Sequence, residues 1–307
     1  MLTLDHPGPL TQPRILSVVT TPVAAMQLLT PNTVLAAELF RILADLNLTS
    51  GMAELIGGTL APISYCVPAR GDDGREVSYS EKRTETHGQL IFGAATLGLR
   101  DGEPWMHSHC VWLTPEGRLQ AGHLWPETGV GSPPPLAVVQ GLPGVDLEST
   151  DDPETRLPVF TPHAATETVL PAEDAGLNRT VVARVCPNED ISLAVEKICT
   201  ENGFENAVVR GGIGSLIGAT FAPHNGITRA RVDGPCTEVV TLVGHVTRTA
   251  EGIRSQLTCT LVDTQGVVHA GALVRGENPV SVTYELFVQE ITLTTSPLPA
   301  THLGEPS

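Results

Sequence analysis

The sequence predicts a globular protein made mainly of β-strands, in which one helix and a series of strands occur twice. With 307 residues and 41% hydrophobic content, the chain is long enough to fill two cores of ordinary size. Only 4% of the residues are aromatic, whereas 30 Gly and 25 Pro indicate many turns. Small and β-branched side chains must therefore do most of the packing, which favours sheets over a helical bundle.

The charge balance argues against binding to nucleic acid. The chain carries 18 Lys and Arg against 34 Asp and Glu, which gives a formal net charge of -16. Such a charge repels a polyanion unless basic residues are concentrated on one face. The sequence contains no basic run and no interleaving of basic and aromatic residues, so direct nucleic-acid binding is disfavoured.

The sequence also predicts a cytoplasmic protein with no membrane span. Its N-terminus lacks a basic region followed by an apolar stretch, and no run of about 18 apolar residues occurs. The six cysteines are scattered without a CxxC pair. In a reducing compartment we expect them to be free and largely buried thiols rather than a disulfide framework.

A stretch rich in Pro, Thr and acidic residues divides the chain. Residues 142–171 show no sustained periodicity and are therefore predicted to include a linker. We divide the chain into a first domain at 1–150, a linker at 151–175 and a second domain at 176–307. The same order of features lies on both sides of the linker, which suggests duplication.

The second half shows the repeated plan more clearly. A strand over 179–187 is followed by a helix with Asn188 as N-cap, apolar residues at helical spacing, and Gly203 at its end. Strands are then predicted within 206–223, 236–247, 253–263, 267–274 and 280–293.

The first half follows the same plan, but its residues match it less closely. Residues 28–51 supply the helix, and 52–62 and 88–98 supply strands before a hairpin over 105–126. Aligning this hairpin with the later one on Gly117 and Gly266 also superposes two further pairs, Cys110 with Cys259 and Gly122 with Gly271.

Three histidines of the first hairpin are predicted to share one face of the sheet. The residues "TPEGR" fit a three-residue loop in which Gly117 adopts the left-handed conformation of a G1 bulge. Counting outward from that loop places His109 opposite His123, with His107 diagonal to His123 on the same face. Cβ atoms of opposed and diagonal neighbours lie about 5 and 7 Å apart, so the three rings can converge on one ion. A four-residue loop would instead move His123 to the other face.

The second hairpin provides an internal comparison. Its aligned positions hold Gln256, Thr258 and Ala272, none of which suits a metal there. One copy therefore has all three histidines and the other has none, as expected if one half is active and the other supporting. The alternative is that the histidines are ordinary polar residues of a hairpin.

The residues resemble a known family. "RVCPNEDISLAVEKICTENGF", "VVRGGIGSL" and "LTCTLVDTQGVVHAGALV" in the second half, with "HSHCVWLTPEGRLQAGHL" in the first, resemble the plants-and-prokaryotes-conserved (PPC or PCC) domain. The resemblance implies an α+β fold with two similar domains, each an antiparallel sheet packed with a helix, assembled as a homo-oligomer with a trimer favoured. In plants the domain follows AT-hook motifs, which this chain lacks, and some prokaryotic members carry a metal on histidines of this hairpin.

Three imidazoles predict one divalent transition metal, with Zn²⁺ favoured and a fourth position open for water or substrate. Such a site suits metal-assisted hydrolysis, hydration or lyase chemistry, which needs a nearby proton-transfer group. Glu54, a charge inside an apolar strand, and His87, in a turn, are the candidates. The alternatives are a solvated edge residue for Glu54 and a turn histidine without special role for His87.

Candidates for substrate binding are Arg210, Arg229, Arg231 and Trp125. An arginine could bind a carboxylate of a small anionic metabolite, and Arg210 aligns with Glu54 of the first half. Each arginine could equally be a surface charge. The rival function is a non-catalytic ligand-binding or regulatory assembly in which the metal is structural.

Overall fold

The computed structural model describes residues 2–71, 74–165, 178–223 and 230–291. Its elements up to residue 164 are β1 (Ile15–Thr20), β2 (Val23–Leu28), α1 (Leu35–Asp45), β3 (Gly51–Ile56), β4 (Thr59–Leu60), β5 (Ile63–Cys66), β6 (Pro68–Arg70), β7 (Val77–Tyr79), β8 (Arg83–Glu85), β9 (Gly88–Arg100), β10 (Glu103–Leu113), β11 (Leu119–Leu124), β12 (Leu136–Gly141), β13 (Val145–Asp151) and β14 (Pro158–Ala164).

The elements of the second half are β15 (Thr180–Val185), α2 (Ile191–Asn202), β16 (Asn206–Val209), β17 (Ile213–Leu216), β18 (Ala219–Phe221), β19 (Ala230–Val232), β20 (Thr237–Thr249), β21 (Gly252–Val262), β22 (Val268–Ala272) and β23 (Val280–Glu290). No helix within the described ranges is long and apolar enough to cross a membrane.

Two large sheets form the architecture. The first has the order β2-β12-β3-β9-β10-β11-β5-β8, with β4, β13 and β14 attached to this path. The second has the order β1-β15-β23-β16-β20-β21-β22, with β17 pairing to β20 and β23. Nearly all pairings are antiparallel, and each half contributes one helix within the described ranges. The predicted α+β class is confirmed, although β1 pairs with β15 and so joins the sheet of the second half.

Both helices lie close to their predicted positions. The apolar face of α1 buries Leu35, Leu39, Ile42 and Leu43, a spacing that follows the helical period. Helix α2 ends at Gly203, whose φ of 70° is the left-handed conformation that glycine adopts at little cost.

The predicted N-cap of α2 was wrong. Asp190, rather than Asn188, caps the helix, because its carboxylate accepts the backbone N–H of Leu193 at 3.0 Å. Asn188 lies two residues earlier with a φ of 65°, and its side chain bonds to the backbone of Leu4.

The stretch interpreted as a linker contains a β-hairpin. Strands β13 and β14 pair along their whole length, so residues 151–164 are not an unstructured connection. The alternation of apolar and polar residues in β13 buries Leu147, and β14 buries Phe160. Both pack with Val182 and Phe287 of the second half. The remaining part of the predicted linker, 166–175, lies outside the described residues.

The two halves share packing and buried charge pairs. Val240 and Val262 of the second half belong to the core of the first. The Arg184 guanidinium donates to the buried carboxylate of Asp152 at 2.7 Å. These contacts bring the beginning of β20 and the middle of β23 against the histidine face of β10 and β11. The six cysteines are free and buried, as predicted, and burial raises the pKa of the Cys110 thiol to about 12.

Candidate metal centre

The first hairpin has the predicted register. His109 pairs with His123 and Val111 pairs with Ala121, while Thr114 bonds to Arg118 across the loop. The loop closes because Gly117 has a φ of 75° and donates its N–H to the Thr114 carbonyl. The later hairpin repeats this register, since Cys259 pairs with Gly271 as Cys110 does with Gly122.

The three imidazoles converge as the register requires. The Nε2 atom of His109 lies 3.1 Å from Nε2 of His107 and 3.3 Å from Nδ1 of His123. One nitrogen of each ring falls within 4.8 Å of the others. His109 is fully buried, and the other two are partly buried.

The outer nitrogens of two rings are held by the second half of the chain. His107 Nδ1 lies 2.8 Å from Oε1 of Glu285 on β23, and His109 Nδ1 lies 2.8 Å from the carbonyl oxygen of Val239 on β20. Each Nδ1 therefore donates a proton to an oxygen, which leaves the lone pair of each Nε2 directed toward the centre. This arrangement is typical of histidines that ligate a metal.

A second carboxylate reaches the centre of the cluster. Oε2 of Glu238 lies 2.9 Å from Nε2 of His109, and both side chains are buried. Glu238 is the residue before Val239, so the same short segment of β20 orients one histidine and adds a negative charge beside it.

The electrostatics differ among the three rings. Burial lowers the pKa of His107, but the charge and hydrogen bond of Glu285 outweigh this effect and raise it. Burial, together with the neighbouring histidines, holds the pKa of His123 well below its usual value. His123 is consequently a neutral imidazole at pH 7, which is the form that binds a metal.

The donor set fits a transition metal. With nitrogen ligands about 2.0 to 2.1 Å from a tetrahedral ion, neighbouring donors lie about 3.3 Å apart. The separations of 3.1 and 3.3 Å around Nε2 of His109 are close to that value. Three neutral nitrogens with two adjacent carboxylates would also balance the charge of a divalent ion.

A cavity of about 110 Å³ adjoins the cluster. His107 and His123 form one side of it, and the tryptophan predicted to bind substrate, Trp125, forms another. The ring centroids of Trp125 and His123 are 6.3 Å apart. Tyr79 also lines the cavity, and its ring centroid lies 5.0 Å from that of His123.

Glu54 and Arg210 lie together rather than in the cavity. Arg210 Nε donates to both oxygens of Glu54 at 3.1 Å, and a second guanidinium nitrogen forms a closer contact. Glu54 pairs with Ala94 and Ala94 with His109 across the sheet, so Glu54 shares the histidine face two strands away. Its carboxylate is engaged by Arg210 and does not line the cavity.

The other predicted residues lie away from the cluster. His87 is exposed between β8 and β9, where its Nδ1 is 3.2 Å from the Thr86 hydroxyl. Arg231 is exposed on β19, with its Nε 3.8 Å from Asp233. Neither lines the cavity. Arg229 lies outside the described residues.

Sequence reasoning missed Glu238, Glu285 and the carbonyl of Val239. All three come from the second half, which the sequence assigned only a supporting role. One signal was available: Glu238 in "CTEVVTL" and Glu285 in "VTYELFV" are single charges within apolar strands. A charge at such a position needs a partner.

Comparison with protein families finds a match in the second half. Residues 172–292 match the Plants and Prokaryotes Conserved (PCC) domain model. The matched region covers less than half of the chain and lies in the half that supplies Glu238 and Glu285. No curated protein is significantly similar to the chain.

Several solved structures are similar to parts of the chain. A plant- and prokaryote-conserved protein from Pyrococcus horikoshii is 25% identical over 38% of this chain and 82% of its own, with a TM-score of 0.35. A proposed DNA-binding protein from Ralstonia eutropha JMP134 is 18% identical over 44% and 88%, with a TM-score of 0.36. A metal-containing protein from Archaeoglobus fulgidus is 16% identical over 47% and 97%, with a TM-score of 0.37.

Proposed function

We propose that the chain binds one divalent transition metal between its two halves and uses it on a small metabolite. One observation carries this proposal: the ring nitrogens of His107, His109 and His123 converge, while the outer nitrogens of two rings are bound by oxygens of the second half. Zn²⁺ is the favoured ion, because neutral imidazoles suit it and the buried setting suits a tetrahedral geometry.

The reaction class that this arrangement supports is hydrolysis, hydration or lyase chemistry. A divalent ion held there would polarise a carbonyl and lower the pKa of water. Glu285 and Val239 fix the orientation of His107 and His109. Glu238, rather than Glu54, is placed to accept a proton near the histidines, because Arg210 engages Glu54.

A structural metal in a non-catalytic binding or regulatory protein is the second candidate. It is favoured by the distance of 2.9 Å between Glu238 Oε2 and His109 Nε2, which would let Glu238 fill the fourth position. Four protein ligands are typical of structural zinc sites, whereas three with an open position are typical of catalytic ones. The cavity beside His107 and His123 supports the open arrangement.

Substitution of Co²⁺ for the native ion distinguishes a catalytic metal from a structural one. We expect metal-loaded wild type and Glu238→Gln each to hold one ion per chain by elemental analysis, with the same visible Co²⁺ spectrum. A change in the intensity and position of the bands in Glu238→Gln would identify Glu238 as a ligand and favour the structural role. Glu205→Gln, which removes an exposed carboxylate paired with Arg248, is the matched control.

The remaining functional expectations stand as predictions. A homo-oligomer, with a trimer favoured, and a cytoplasmic location are carried forward from the sequence. A carboxylate substrate held by Arg210 is not carried forward, because Glu54 already occupies that guanidinium. Direct nucleic-acid binding remains disfavoured by the net charge of -16.

A further inference from the structure

The walls of the cavity beside the histidines are mainly aromatic. Besides His107 and His123, the lining contains four aromatic side chains and four other residues: Tyr79, Trp105, Trp125 and Phe160, with Met106, Ser149, Pro158 and Glu285. An enclosed apolar cavity of about 150 Å³ accommodates a benzene molecule. The cavity beside the histidines, of about 110 Å³, is smaller but not fully enclosed, so one flat ring is the largest group that it is expected to hold.

Two residues of the cavity lining have a buried polar atom without a hydrogen-bond partner: Nε1 of Trp125, which is a donor, and Oε2 of Glu285, which is an acceptor. Glu285 is 4% exposed, and its Oε1 accepts from His107. Its Oε2 has no hydrogen-bond partner, and the residue lines the cavity. A buried carboxylate oxygen without a donor is costly, so a bound ligand that supplies an N–H or O–H would be favoured.

The charges around the cavity oppose an anion. None of the described residues that line it is Lys or Arg. Arg100 stacks on the ring of Trp105, but its guanidinium is paired with Asp151 at 3.0 Å. Glu285 and Glu238 bring negative charge to the histidines from the other side. In protein without the ion, a carboxylate would therefore meet repulsion that an uncharged group avoids.

We propose that this cavity binds an uncharged amide built on a single flat ring. Its ring lies between the aromatic walls, its carbonyl oxygen faces the histidines, and its N–H donates to Oε2 of Glu285. This inference rests on the proposed function in one respect, since the carbonyl oxygen is the group that would bind the metal. The N–H contact and the ring contacts depend only on side chains of this chain.

Benzamide and benzoate form the matched pair of probes. They have the same ring, but benzoate has no N–H and carries a negative charge. Isothermal titration of chelator-treated protein, in which no ion attracts the carboxylate, should give saturable binding of benzamide and binding of benzoate that is at least about tenfold weaker. Equal or tighter binding of benzoate would overturn the inference.

The variant Glu285→Gln tests the contact itself. Its amide oxygen can still accept from His107, while its NH₂ group replaces the acceptor that faces the cavity. We expect benzamide to bind roughly tenfold more weakly to this variant and benzoate to bind more tightly. Glu290→Gln, on the same strand but paired with Arg179 at the surface, should leave both affinities unchanged. Unchanged benzamide binding in Glu285→Gln would contradict the assignment.

Metal content measured on the same samples separates this inference from the proposed function. If purified wild type holds the ion but does not prefer benzamide after chelation, the amide site is wrong and the metal site stands. If wild type holds no ion yet binds benzamide in preference to benzoate, the metal site is wrong and the cavity assignment stands. Titration of metal-loaded protein then shows how much the ion adds to the affinity for each probe.

Discussion

Arg210 of the second half contacts both carboxylate oxygens of Glu54 in the first, with Nε 3.1 Å from each. The two residues were aligned as counterparts in the repeated plan, and the fold brings them into contact. The pair joins β3 to the segment between β16 and β17. Glu54 is almost fully buried and Arg210 is partly exposed. Their ion pair connects the two halves beside the histidine face.

Glu54→Gln is accordingly expected to change stability rather than metal binding. Removing the charge leaves the Arg210 guanidinium without its carboxylate, which should lower the free energy of unfolding by about 1–3 kcal/mol. Urea denaturation measures this loss, and elemental analysis should still find one ion per chain. A double-mutant cycle with Arg210→Met would isolate the pairwise contribution. Loss of a metal-dependent activity without loss of stability would instead indicate that Glu54 transfers a proton in the reaction.

Replacement of the three histidines by alanine tests the metal centre. We expect His107→Ala, His109→Ala and His123→Ala together to abolish metal binding and leave the circular dichroism spectrum largely unchanged. The second hairpin already has Thr258 opposite Ala272 in the same register, so the sheet does not need imidazoles there. Wild type should hold about one ion per chain. Two ions per chain, or global unfolding of the variant, would contradict a single site that the fold does not require.

The hairpin could be predicted because its information is local. The loop sequence determines the conformation of Gly117, and that loop sets the register of His109 against His123. The alternation of strand residues then places His107 on the same face. The ends of α2 show both the strength and the limit of such signals. Gly203 was identified correctly, whereas Asp190 and Asn188 are equally good capping residues, and only the folded backbone distinguishes them.

The partners of the histidines could not be predicted in the same way. Glu238 and Glu285 lie more than 120 residues from His107, and their contacts depend on how the second half packs against the first. The strands β13 and β14 could not be recognised either, because their Pro and acidic residues resemble those of a linker. Burial of Leu147 and Phe160 against the second half becomes visible only in the assembled fold.

Acid should weaken the contact between the halves at Asp152. Burial alone would raise the pKa of this carboxyl, but the hydrogen bond and charge of Arg184 outweigh burial and lower it. Because the folded pKa lies below the unfolded value of about 3.9, the stabilisation is fully present above that value. It is lost as the pH falls from about 4 toward the folded pKa.

Urea unfolding measured across pH checks this dependence. Wild type should lose stability below about pH 4, and Asp152→Asn should lose about 3 kcal/mol at pH 7 and depend less on pH in the acid range. Asp233→Asn is the control, because Asp233 is an exposed carboxylate near Arg231. Parallel pH profiles of wild type and Asp152→Asn would show that this pair does not contribute to acid sensitivity.

Binding to duplex DNA should be no tighter than nonspecific. The net charge of -16 opposes contact with phosphates, and nonspecific affinities at physiological salt lie at about 10⁻⁴ to 10⁻⁶ M. Fluorescence anisotropy with labelled duplexes of several sequences would measure the dissociation constants over a range of salt. Nanomolar, sequence-selective binding would show that a basic surface forms in the assembled protein.

The contact between Glu285 and His107 predicts how metal affinity depends on the second half. Glu285 Oε1 accepts from Nδ1 of His107 at 2.8 Å, which fixes the ring so that Nε2 faces the other histidines. Removing such an orienting group typically lowers metal affinity about 10–100-fold. Glu285→Ala should therefore bind Zn²⁺ more weakly by that factor in a chelator competition, with the stoichiometry unchanged. Glu285→Gln keeps an oxygen acceptor and should lose much less, and Glu290→Gln, on the same strand at the surface, should lose nothing. If Glu285→Ala bound Zn²⁺ as tightly as wild type, the second half would not orient the site, and the histidine cluster would act as a site of the first hairpin alone.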